Sequence, residues 1–125
     1  MHEESFRTVE KFILEEIDTV PHLEVLLLLW NNRARQWTPA DMAKAIYVST
    51  DESRLVLSQL ERRGFAVATG EDCFQYRSGQ HDGVIEQVDA VYRHHVVRIS
   101  TLIHSKPAAS LREFARAFRL KKDKP

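Results

Sequence analysis

The chain has 125 residues, 43% of them hydrophobic and 29% charged, with a formal net charge of zero. That suffices for one core of ordinary size and leaves no global field to draw the chain to nucleic acid or membrane. The lone cysteine, Cys73, excludes an intrachain disulfide framework, and the longest apolar run, Val25 to Trp30, is far too short to span a bilayer.

The acidic start, MHEESFRTVE, has no basic flank before an apolar run, so it does not read as a signal peptide, and a cytoplasmic protein without membrane association is expected. The zero net charge hides a gradient. Residues 1–32 hold seven acids and two bases, and residues 106–125 hold seven bases and two acids. The two ends are expected to attract each other, within one subunit or between two.

Phe6, Val9, Phe12, Ile13 and Ile17 have helical spacing and predict a helix over 5–18. Thr19-Val20-Pro21 breaks it, and Pro21 suits the first turn of a second helix, 21–33, which is apolar nearly all round and should be the central buried one. Thr38 is a good N-cap for a helix over 39–47. Ser49 with Glu52 three residues on is a capping box that opens 50–63, with Leu55, Val56, Leu57 and Leu60 as its expected buried face and Gly64 as its end.

Two short strands within 65–77, around Gly70-Glu71-Asp72, predict a hairpin. A long helix over 83–104 follows and is closed by Lys106-Pro107. Ser110 with Glu113 opens a last helix, 110–119, with Leu111, Phe114, Ala115 and Phe118 on one face. The chain divides into an N-terminal helix (1–20), a central unit (21–80) and a C-terminal helical segment with a basic tail (81–125).

Helix, sharp turn, helix and hairpin over 38–77 is the outline of a winged helix-turn-helix, so the expected fold class is mostly α with a small β-hairpin. Such a unit commonly places its second helix in the DNA major groove. The candidate double-stranded DNA contacts are Arg33, Arg35, Thr38, Thr50, Asp51, Ser53, Arg54, Ser58, Arg62 and Arg77, with Lys44 and Arg63 as further bases. The guanidinium groups would neutralise phosphates, and the hydroxyls would donate to phosphates or base edges.

Asp51 and Glu52 suit a helix start through the macrodipole, but DNA phosphates repel them. Over 49–77 the bases Arg54, Arg62, Arg63 and Arg77 face the acids Asp51, Glu52, Glu61, Glu71 and Asp72, four against five. A DNA reader normally shows an excess of bases. The alternative is therefore a winged-helix module whose acidic face meets a basic protein partner without DNA.

The run RLVLSQLERRGF, 54–65, resembles the end of the recognition helix in MarR-like bacterial transcriptional regulators, where an apolar pair, a leucine, a charged triplet and a glycine lead into the wing. The resemblance implies a winged-helix fold and DNA-binding transcription regulation by a homodimer. It also implies an Asp-x-Arg element at the wing tip, where this chain has Gly70-Glu71-Asp72 with no base before Arg77, and small hydroxyl residues where it has Asp51 and Glu52.

Ile85, Val88, Tyr92, His95, Ile99 and Leu102 are spaced 3, 4, 3, 4 and 3 apart, an a/d seam that predicts a homodimer through the long helix. No metal site is expected from the six histidines, because adjacent His94 and His95 point about 100° apart on a helix. No nucleophile–base pair, phosphate loop or paired-carboxylate site stands out. Neither catalysis nor a cofactor is expected.

Overall fold

The computed structural model describes the backbone of residues 2–106 and side chains from Phe6 onward. Within that span the chain is mostly helical with one small antiparallel hairpin: α1 (His2–Glu16), α2 (Val20–Asn31), α3 (Pro39–Ile46), α4 (Thr50–Arg62), β1 (Ala66–Ala68), β2 (Phe74–Tyr76), α5 (Asp82–His94) and α6 (Val96–His104). The expected helix over 110–119 lies outside the described residues.

The caps explain where the helices begin. The Thr19 hydroxyl accepts from the His22 amide at the start of α2, Thr38 from Asp41 at the start of α3, and Ser49 from Glu52 at the start of α4. Each satisfies one of the amides a helix start leaves unpaired. Among the described residues only the serine half of the Ser49–Glu52 box forms, since no bond from the Glu52 carboxylate returns to Ser49.

Two asparagines close α2: Asn31 Nδ2 donates to the Leu27 carbonyl at 2.8 Å and Asn32 Nδ2 to that of Leu28 at 2.9 Å. Gly64, at φ 87°, closes α4. The Phe65 amide bonds the Leu60 carbonyl at 2.9 Å and the Gly64 amide that of Glu61 at 3.0 Å, the paired bonds of a Schellman ending.

α2 is the centre of the molecule. Leu23, Val25, Leu26 and Leu29 are fully buried, as its all-round apolar character requires. Around it one continuous core takes in Val9 and Ile13 of α1, Met42 of α3, Leu57 and Leu60 of α4, Phe74 and Tyr76 of β2, Ile85 and Val88 of α5 and Ile99 of α6. The hairpin pairs Ala66 with Tyr76 and Ala68 with Phe74. Trp37, just before α3, adds a bridge to the outer edge of β2, its amide donating to the Phe74 carbonyl at 2.7 Å and its carbonyl accepting from the Phe74 amide at 2.8 Å.

The expected single helix over 83–104 is corrected to two. The chain leaves helical geometry at His95, with φ −137° and ψ 46°, and resumes at Val96. His94, His95, Val96 and Val97 are all modest helix formers, so the break costs little locally. It lets α5 and α6 both pack on α1. The His95 ring meets Phe6 edge-on at 6.1 Å, and Arg98 lies over the Phe6 ring at 3.7 Å.

The break also changes the seam. Ile85, Val88 and Ile99 are fully buried in the chain's own core, Tyr92 and Leu102 are half-buried, and His95 is exposed. The apolar spacing is satisfied within one chain.

Candidate functional site

Ser53, Val56, Leu57 and Leu60 form the inner side of α4, each at most 3% exposed. At about 100° per residue, the side chains opposite them are Asp51, Leu55, Ser58 and Arg62, which form the outward stripe. Two expectations change here. Leu55, expected on the buried face, is 53% exposed, while Ser53, a candidate DNA contact, is fully buried and its hydroxyl has no partner among the described residues. The reason is register: Val56, Leu57 and Leu60 set the inward direction, Ser53 falls one turn before Leu57, and Leu55 sits about 200° round from Ser53.

Three ties hold α4 in place. On one flank Arg54 forms an ion pair with Asp72 at the hairpin tip. On the other, the buried His22 ring bridges helices, with Nε2 against Gln59 Oε1 and Nδ1 2.6 Å from the Thr19 hydroxyl. Because the Gln59 oxygen can only accept, Nε2 carries the proton, and the Thr19 hydroxyl donates to Nδ1. At the end of α4, Arg63 donates to the Glu16 carbonyl at 2.5 Å and to Asp18 Oδ2 at 2.8 Å. The hairpin tip itself needs left-handed backbone at Gly70 (φ 109°) and Asp72 (φ 58°).

The candidate DNA contacts therefore separate by what holds them. Thr50, Asp51, Arg62 and Arg77 are exposed, and Ser58 is half-buried on the outward stripe. Arg33 stacks over Trp30 at 4.2 Å and Arg35 over Trp37 at 3.7 Å, both with exposed guanidinium groups beside the hairpin. The Thr38 hydroxyl is engaged by its cap, and the Arg54 charge is offset by Asp72. Exposed Glu52 and Glu71 stand with Asp51 against Arg62 and Arg77.

Three features carried no signal at the level of spacing. Tyr47 ends α3 in the left-handed region at φ 60° and is 93% exposed, in the turn that leads to α4. Tyrosine is a poor fit to that backbone, so nothing in its type announces it. His22 was unremarkable within an apolar run.

The third is the loop after the hairpin. Asp82 gathers the Tyr76 hydroxyl at 2.5 Å, the Gly79 amide at 3.0 Å and the Ser78 hydroxyl. The Ser78 and Tyr76 bonds, then the Gly79 amide, hold the Asp82 carboxyl below its usual range. Burial and then the Asp82 bond push the Tyr76 phenol up. These groups line a cavity of about 290 Å³ with Arg63, Arg77 and His81.

Among the described residues no cluster of three or more His, Cys, Asp or Glu side chains is placed to hold a metal ion, and no helix is long and apolar enough to cross a membrane. No family model, curated protein or solved structure matches the chain.

Proposed function

We propose that residues 21–80 form a winged helix-turn-helix that binds double-stranded DNA as a cytoplasmic transcription regulator, with α4 entering the major groove. One observation carries the reading: Arg54 and Asp72 hold the hairpin tip beside α4, while Asp51, Leu55 and Arg62 of the outward stripe stay exposed. The Trp37–Phe74 bridge supports it, because it fastens the hairpin to the segment that leads into α3, in the helix, helix-turn-helix, hairpin order of such units.

Arg62 and Arg77 would neutralise phosphates. Leu55 is suited to a thymine methyl and Asp51 to the cytosine amino group. With the Arg54 charge offset, backbone affinity is low and base contacts carry a larger share of discrimination. The regulator is a homodimer in this reading. Since Ile85, Val88 and Ile99 face inward, its contact falls to Val96 and Val97 at the α5–α6 break, 47% and 79% exposed.

A second reading is a protein-docking module, favoured by the exposed Tyr47 and Leu55 together with the acids Asp51 and Glu52. Selection from random duplexes at two salt concentrations separates the two. The DNA reading expects an enriched motif whose affinity falls with salt. No enrichment at low salt would remove it in favour of the protein partner.

A further inference from the structure

A groove between α2, α3 and α5 is the least explained surface of the molecule. Its apolar wall is Leu27, Leu28, Ile46 and Tyr92, and its volume is about 240 Å³. That is below the usual range for small-molecule sites and suits a few side chains of a polypeptide. Its rim is acidic. Glu24 has no ion-pair partner among the described residues, while Asp89 pairs with Arg93 at 2.9 Å and accepts from Asn31 Nδ2 at 3.1 Å. Exposed Glu86 lies one turn before Asp89 on α5.

We propose that the chain's own C-terminal segment, residues 110–119, seats in this groove. Leu111, Phe114, Ala115 and Phe118 recur at 3, 1 and 3 residues, one face at helical spacing, and Arg112, Arg116 and Arg119 recur at 4 and 3 beside it. Apolar side chains thus meet the wall, and guanidinium groups meet Glu24, Glu86 and Asp89.

The exit of the chain is well placed for this. Lys106 Nζ donates to the Ile13 carbonyl at 2.9 Å and to that of Ile17, which fixes the end of α6 beside the end of α1, three residues before α2 begins. Five residues from Lys106 to Leu111 reach up to about 18 Å. Glu24 and Leu28 stand roughly 6 and 12 Å along α2 from Val20. Because the segment is joined to its groove by so short a connection, its effective concentration there is on the order of millimolar, far above that of a second copy at micromolar protein.

The test uses the full chain with Cys73→Ser, so that only introduced thiols react. Ala45 lines the groove and is exposed, so Ala45→Cys is paired with Phe114→Cys; Leu28→Cys with Phe114→Cys is the second pair. Under mild oxidation at low micromolar protein, both pairs should form mainly an intrachain disulfide, seen as a protein of monomer mass. Val67→Cys on the hairpin with Phe114→Cys should react much more slowly. Adding Glu24→Lys should slow the groove pairs about threefold, the size of one partly exposed ion pair. No disulfide in either pair, chiefly interchain product, a Val67 rate equal to the groove rate, or indifference to Glu24→Lys would overturn the assignment.

Discussion

Two amphipathic stretches of this chain, α4 and α5–α6, show comparable helical patterns and are used differently. In α4 the inner stripe Ser53, Val56, Leu57 and Leu60 is sealed, and the outer stripe with Leu55 is left to solvent. In α5–α6 the seam that spacing marks as a partner surface, Ile85, Val88 and Ile99, is consumed by α1 and α2 of the same chain. Periodicity says that a face will be covered. It does not say by what, because the covering surface lies elsewhere in sequence.

That contrast is sharpest in stability. Ile99→Ala should cost about 2–5 kcal/mol, the range for emptying a sealed core position, whereas Leu55→Ala should fall within about 0.5 kcal/mol of wild type. Urea unfolding of the two variants checks this. An Ile99→Ala protein that keeps its stability and loses only self-association would restore the seam to an interface between chains.

A smaller effect is expected where α4 hands over to the hairpin. A Cβ on Gly64 meets nothing within 4 Å, so Gly64→Ala is opposed only by its φ of 87°. The cost should be about 1–2 kcal/mol. A change near zero in the urea midpoint would mean that the Schellman ending relaxes freely and does not hold the hairpin against α4.

These positions also show how far the residues alone could be read. Thr38, Ser49 and Gly64 announce helix boundaries through local chemistry, and those boundaries stand. His95 does not announce its break, because the cause is the packing of two helix halves on α1 around Phe6. Leu55 reads as an inner-face residue because it is apolar, yet the register is set by three neighbours that outvote it. Of the candidate site, the exposed Thr50, Asp51, Arg62 and Arg77 were legible from residue type. The engagement of Arg54 by Asp72, and of Gln59 by His22, depends on contacts 18 and 37 residues apart.

The loop beside the hairpin adds a pH signature. The folded-state pKa of Asp82 is held below its ordinary 3.8, so its contribution is present above that value and is lost as pH falls through the lower folded one. Asp82→Asn should therefore destabilise the protein at neutral pH, and the gap from wild type should close below pH 3.8. Tyr76 is shifted the other way, upward from 10.0, so its contribution is complete below pH 10.0 and declines above it. Thermal unfolding across pH would show both limbs. A gap from Asp82→Asn that persists unchanged below its ordinary pKa would contradict the acid limb.

The central claim is that the outward stripe of α4 is a DNA surface, and Asp51→Asn probes it most directly because it removes a charge and leaves the Ser49 cap in place. Titrating wild type and Asp51→Asn on random and selected duplexes at low and moderate salt gives the answer. Removing one carboxylate near phosphate should tighten binding to random duplex roughly fivefold, equivalent to about 1 kcal/mol, and should narrow the preference for the selected sequence. The absence of measurable DNA binding by either protein at low salt would contradict the claim.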